Sequence, residues 1–359
     1  MLLYIHIPFC DSKCHYCAFN SYTDRFHLKS TYMNSLKKQL QHELRKNIDN
    51  GNETVETIFI GGGTPSTVKV EEYQEIFKIL TPYISNTKEI TIEANPNSAN
   101  KEWLRGIFDL GVNRISFGVQ SFDDEKLKFL NRAHNTNMAI SAIQYAHCIG
   151  FNHINCDIIY GTALDTQELL DNDLEHIKNL PIDHVSAYDL TIEEGTLFYN
   201  KPEVKKESVS LAVELFEKLK IQGFKQYEIS NFAKNDEAQS KHNLGYWAHK
   251  PYLGIGTGAV GCINNIRLYP SKNIEQYIVD PLDYEQEILS KEDVRIEKIL
   301  LGLRSIIGVD LKLLSSDEMK YISLLKEDNK IIVDDEILYN NDYLLADEIA
   351  LFITQDSIY

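Results

Sequence analysis

The sequence predicts an α/β protein: a partial (β/α)6 TIM-like barrel with a small C-terminal winged-helix-like α+β domain. Three observations lead there. Six short runs rich in Ile, Val, Phe or Tyr alternate with longer segments of helical periodicity. Glycines, cysteines and isolated polar residues collect just after those runs. Beyond Pro281 the alternation gives way to helices and one hairpin pattern.

The strand-like runs cover residues 2–7, 57–60, 89–93, 113–119, 153–160 and 184–190. Helical patterns fall at 28–48, 71–80, 101–110, 138–149 and 167–178; in the first, Met33, Leu36, Leu40, Leu44 and Ile48 recur every three or four residues and share one face. A strand, loop, helix order repeated six times builds a parallel sheet with right-handed crossovers and helices outside. Residues 1–200 are assigned to this barrel. Residues 201–285 form an extension, and residues 286–359 form the last domain, with helices at 297–305 and 316–326, a hairpin at 330–339 and a final helix from Asp342. A helical pair followed by a wing often reads DNA. The acidity of Asp317, Glu318, Glu327, Asp328, Asp334, Asp335 and Glu336 argues instead for protein contact or cavity closure.

With 43% hydrophobic and 25% charged residues, the composition is that of a globular protein. No apolar stretch approaches the roughly 18 residues a membrane span needs. The formal charge of -17 disfavours nucleic acid as a partner. The chain opens Met1-Leu2-Leu3-Tyr4 without a basic, signal-like start, and Cys148, Cys156 and Cys262 are scattered, so a disulfide framework is not expected and a cytoplasmic location is.

In such barrels chemistry gathers at the C-terminal ends of the strands. Cys10, Cys14 and Cys17, spaced C-x3-C-x2-C, follow the first run. Three thiolates on a short loop can hold an iron-sulfur cluster and leave one iron open to another ligand. A zinc knuckle completed by His6 or His15 is the alternative, although no second C-x2-C unit is present. Gly61-Gly62-Gly63-Thr64-Pro65-Ser66 follows the second run and offers bare backbone to an amino or carboxylate group. Glu93, Gln120 and Asp157 end the third, fourth and fifth runs, and Arg132 has the planar fork that grips a carboxylate. These residues would face one cavity.

The stretches Tyr4-Ile5-His6-Ile7-Pro8-Phe9-Cys10, Cys14-His15-Tyr16-Cys17-Ala18-Phe19, the Gly61 to Ser66 loop, Asn113 through Phe122, Tyr227-Glu228-Ile229-Ser230-Asn231-Phe232-Ala233 and His242-Asn243-Leu244-Gly245-Tyr246-Trp247 closely resemble the radical S-adenosylmethionine (SAM) superfamily. Within it they are similar to the oxygen-independent coproporphyrinogen III oxidase-like group, which includes heme chaperones. The resemblance implies a [4Fe-4S] cluster on Cys10, Cys14 and Cys17, with its open iron chelated by SAM, and places Tyr4, Gly62, Gly63, Thr64, Glu93, Gln120, Arg132 and Asp157 around that molecule. In the family, reduction of the cluster splits SAM into methionine and a 5'-deoxyadenosyl radical.

Two features favour the chaperone branch. The oxidases carry a further cysteine where this chain has Phe19, and a longer N-terminal arm than the nine residues preceding Cys10 here. The expected function is therefore binding of heme and its delivery to apo-hemoproteins. The alternative is oxidative decarboxylation of coproporphyrinogen III propionates to vinyl groups. No catalytic acid, base or nucleophile is assigned. Heme is expected as a third cofactor with His242 as a ligand to its iron, and Phe19 is counted among the cofactor-binding residues; His242 followed by Asn and aromatics also reads as a turn cap packed in the core. Implied partners are heme or a porphyrinogen, an apo-hemoprotein acceptor at the membrane surface, an electron donor such as flavodoxin or ferredoxin, and a second copy in a homodimer. Two departures stand out. Val260-Gly261 replaces a His and small residue, and Gly161-Thr162-Ala163 replaces Gly-Leu-Pro, which frees a backbone φ angle.

Overall fold

Alternation along the six runs decides the architecture: one face of each strand is aliphatic and seeks helices, while the other is polar and lines an interior. In the computed structural model, which describes residues 1–49, 54–206 and 209–355, these strands are β1 (Leu2–Ile7), β2 (Thr57–Gly62), β3 (Glu89–Ala94), β4 (Arg114–Gln120), β5 (His153–Tyr160) and β6 (His184–Asp189). They lie side by side in chain order, all parallel. Ile5, Ile60, Ile92, Ile115 and Ile154 meet in register on the buried outer face. Against it pack α1 (Lys29–Leu44), α2 (Val70–Leu80), α3 (Lys101–Asp109), α5 (Thr136–Ile149), α6 (Gln167–Asn179) and α7 (Val209–Ile221), whose apolar positions join the same core. The aliphatic face and its helix stripes supply the hydrophobic driving force for this layer.

The predicted helix at 28–48 stops at Leu44 and ends in a wider turn, Arg45–Asp49. A short helix, α4 (Asp124–Phe129), was not foreseen. It is capped by the Asp123 carboxylate, which accepts from the Lys126 amide at 2.8 Å, and six residues are too few to show a period.

The larger departure lies in the extension. Its strands β7 (Lys225–Gln226) and β8 (Asn231–Ala233) lengthen the sheet beyond β6. After α8 (Lys241–Trp247), β9 (Tyr252–Ile255) pairs parallel with β1, followed by β10 (Gly261–Ile263), β11 (Ile266–Pro270), α9 (Ile274–Val279) and β12 (Tyr284–Ile288). The result is a twelve-stranded sheet curved into an open barrel. Since β12 belongs to it, the sheet runs past residue 285.

The last part has its own core, from Ile299 and Leu303 to Ile349 and Ile353. It contains α10 (Lys291–Leu303), α11 (Glu318–Glu327), α12 (Ala346–Thr354) and an antiparallel sheet of β13 (Val309–Asp310), β14 (Ile331–Asp334) and β15 (Ile337–Asn340). The hairpin lies where its pattern predicts. β13, two residues long, leaves no readable alternation.

Candidate cofactor site

The inner face of the barrel is polar because every second residue of the strands points inward. His6, Gly61, Glu93, Ser116, Asn155 and His184 form one layer across adjacent strands. At the C-terminal ends of the strands this face opens into a cavity of about 420 Å3 lined by Cys10, Cys14, Cys17, Gly62, Gly63, Thr64, Glu93, Asn95, Gly118, Gln120, Arg132 and Asp157. Nearly every residue expected around the cluster and SAM meets here. The three cysteines are free thiols. Burial pushes the Cys10 and Cys17 thiols up, so both stay neutral until a metal takes them as thiolates. Among the described residues no three His, Cys, Asp or Glu side chains converge on the position of a single metal ion.

Arg132 organises the far wall. Its Nη2 donates to Asn95 Oδ1 and to the Gly118 carbonyl, both at 2.6 Å, while Nη1 donates to Cys14 Sγ at 3.1 Å. Burial opposes its charge, but Tyr16 and Cys14 beside it hold its pKa above the ordinary value. Its Nε has no partner among the described residues. Asn95 also donates to Thr64 Oγ1 at 3.2 Å, and Thr64 donates to Cys10 Sγ at 3.3 Å. Asn95, two residues beyond Glu93 at the end of β3, was missed as a site residue.

On the near wall the glycines matter for what they lack. A Cβ at Gly63 would come within 3.0 Å of Cys10 Sγ, and Gly62 adopts φ +116° against the His6 ring. The Gly62 amide donates to Glu93 Oε2 at 3.0 Å. Burial, with a contribution from the charge of Asp157, pushes Glu93 up to about 8. Asp157 is also raised by burial, although Ser116 and Asn155 donate to it.

Tyr4 and His242 face a second cavity of about 720 Å3, which shares Ala18, Phe19, Ser21, Gly62 and Glu93 with the first. Phe19 stands at the junction and is 69% exposed. His6, pushed down to about 4 by burial, is neutral; its Nε2 donates to the Asn20 carbonyl at 2.8 Å, leaving Nδ1 to accept from Tyr4 Oη at 2.9 Å. His15 uses its Nδ1 on the Phe129 carbonyl. His242 is 1% exposed, stacks on Phe59 with ring centroids 5.3 Å apart and pairs through Nδ1 with Thr57 Oγ1 at 2.8 Å. Its Nε2 has no partner among the described residues. Glu89 carboxylate oxygens accept from the Lys241 and His242 amides at the start of α8, and Gly245 lets this helix lie against Leu2. The Tyr227 to Ala233 motif is a seam: Tyr227 Oη pairs with His184 Nε2, and the Ile306 amide donates to the Tyr227 carbonyl.

The family model described as the Radical SAM superfamily matches residues 4–177. The chain is 35% identical to the protein named heme chaperone HemW of Bacillus subtilis (strain 168), across 86% of this chain and 84% of that one. It is 31% identical to that of Lactococcus lactis subsp. lactis (strain IL1403), across 94% and 90%. The chain belongs to the HemW family of radical SAM proteins. This HemW-family chain also shares the fold of coproporphyrinogen III oxidase (HemN) from Escherichia coli, with a TM-score of 0.83, 21% identity and coverage of 98% and 89%. Membership brings a [4Fe-4S] cluster and SAM as cofactors. The residues present fit them: three free thiols ring one cavity, the glycine backbone leaves room beside Cys10, and Arg132 keeps a buried N–H without an acceptor among the described residues. Among the described residues no helix is long and apolar enough to cross a membrane.

Proposed function

We propose that this chain acts as a heme chaperone, the role its HemW relatives are named for, binding heme and delivering it to an apo-hemoprotein, with the cluster and SAM held in the first cavity and heme in the second. The observation that supports this most is His242. It lies at the wall of an aromatic cavity adjoining the cluster cavity, neutral because burial lowers it to about 3, with one nitrogen bonded and the other without a partner among the described residues. Neutral imidazole is the form that ligates iron. Tyr4, Phe59, Tyr246 and Phe19 supply apolar surface for a porphyrin plane.

In the first cavity Cys10, Cys14 and Cys17 would hold the cluster, and the carboxylate and amino groups of SAM would meet Arg132, the Gly62–Thr64 backbone and Glu93. Gln120 and Asp157 would face the rest of that molecule. When bound and reduced, the cluster supplies electrons for cleaving the sulfonium. An oxygen-sensitive cluster suits the cytoplasm, a flavodoxin or ferredoxin would serve as donor, and the acceptor would be met at the membrane surface. A second copy of the chain would pair with it in a homodimer.

Anaerobic reconstitution with iron and sulfide, followed by heme titration and parallel analysis of coproporphyrinogen III, tests the proposal. Stoichiometric heme binding without decarboxylation is expected. Vinyl product with no heme affinity would replace this reading with the oxidase.

A further inference from the structure

A buried charged network centred on Asp173 of α6 grips the segment that follows Gln120 at the cofactor cavity. β4 ends in an irregular register against β5 between Phe117 and Gln120, and Gln120 has φ +71°, a left-handed backbone that a non-glycine residue adopts only under constraint. The constraint lies in the next two residues. Ser121 Oγ is 2.9 Å from both carboxylate oxygens of Asp173, and the Phe122 amide donates to Asp173 Oδ1 at 2.6 Å. Asn172 Nδ2 donates to the Phe122 carbonyl at 3.3 Å, and the Phe122 ring stacks on His176 at 4.8 Å. Three side chains of one helix thus hold one loop.

Asp173 is itself fixed. Lys126 Nζ, fully buried, lies 3.9 Å from it and 2.6 Å from Asp165, whose other oxygen accepts from the Thr162 amide at 2.8 Å. The loops after β4 and β5 are therefore joined through one lysine and two carboxylates, all about 1% exposed or less. None of these three charged groups lines the cavity. A buried ion network is weak evidence for stability, and the hydrogen bonds that Asp173 accepts from outside this one come from Ser121 and the Phe122 amide, next to Gln120.

We infer that Asp173, fixed by Lys126 and Asp165, is a positioning residue for cofactor binding, acting on SAM through the backbone of Ser121 and Phe122 and the side chain of Gln120. This rests on the reading that SAM occupies the first cavity. Binding of SAM to the anaerobically reconstituted protein, followed by equilibrium titration, tests it in wild type, Asp173→Asn, Ser121→Ala, Gln120→Ala and the double variant Asp173→Asn/Gln120→Ala. Ser121→Ala keeps every charge and guards against a misfolded Asp173 variant.

Loss of hydrogen bonds to a charged acceptor predicts SAM affinity about tenfold weaker in Asp173→Asn and in Ser121→Ala, at unchanged iron and sulfide content. In the Gln120→Ala background the same change should have little further effect, because the network then has no side chain left to aim. Affinities equal to wild type in both single variants would overturn the inference, as would fully additive losses in the double variant. Failure of wild type itself to bind SAM would instead overturn the underlying reading.

Discussion

Arg132 Nη1 lies 3.1 Å from the sulfur of Cys14, so a cation from the loop after α4 touches one of three thiols carried by the loop after β1. The same guanidinium reaches Asn95 after β3 and the carbonyl of Gly118 in β4, tying four segments of the barrel rim together. A lysine carries its three donors on one compact nitrogen and cannot spread them over two separated positions as the planar fork does. Arg132→Lys should therefore weaken SAM binding about tenfold while retaining the cluster absorption, as measured by titration of reconstituted protein. Unchanged affinity would remove the fork from the site.

Replacing any one of Cys10, Cys14 or Cys17 by Ala should abolish the cluster absorption and the bound sulfide. Cys148→Ala should change neither, since Cys148 is exposed on α5 and absent from the cavity. A cluster that survives loss of Cys10 contradicts the ligand assignment.

Glu93 gives a pH signature. Its folded-state pKa, about 8, lies above the ordinary value, so the folded protein holds a proton that the unfolded chain releases. The carboxyl thus favours folding in its protonated state, and that contribution is lost as pH rises from the ordinary carboxylate range through about 8. Glu93→Gln should stabilise the apo-protein at pH 8 by about 1 to 3 kcal/mol, the cavity water screening the rest, and the two proteins should converge near pH 4. Thermal melts across that range check the sign. Equal melting temperatures at pH 8 would show that the carboxylate is not desolvated.

His242→Gln should shift the Soret band of bound heme and weaken its binding, whereas Thr57→Val, which frees Nδ1 but leaves Nε2 in place, should keep a histidine-type spectrum. If the His242 variant binds heme with the wild-type spectrum and affinity, the imidazole is a core residue only.

Phe19 is the large exposed aromatic at the junction of the two cavities. Phe19→Ala should weaken heme binding about threefold to tenfold, the value of one aromatic contact, and leave SAM affinity unchanged. Loss of SAM affinity with heme binding unchanged would place the ring in the first cavity alone.

Much of the fold was legible because it is written locally. The Ile-rich alternation of the strands at Thr57, Glu89 and Arg114 and the stripe of Met33, Leu36, Leu40 and Leu44 need only nearest-neighbour periodicity to be read. Helix α4 and strands β7, β8 and β13 were not legible, because six residues make less than two helical turns and strands of two or three residues show no alternation. At the site, Cys10, Gly63 and Glu93 stood out at strand ends. Asn95 did not, since a turn asparagine looks the same whether it caps its own backbone or receives Arg132.

The order of amino acids alone determined the parallel strand order, the placing of chemistry on one rim and the thiol trio that begins it, because covalent spacing and hydrophobic period impose these. Only the tertiary structure decided that Tyr4 and His242 border a second cavity beside the first, that β9 closes on β1, and that Asp173 reaches back to hold the segment after Gln120. Those relations depend on hydrogen bonds and packing between residues far apart along the chain, and a contact through space leaves no period in a one-dimensional pattern.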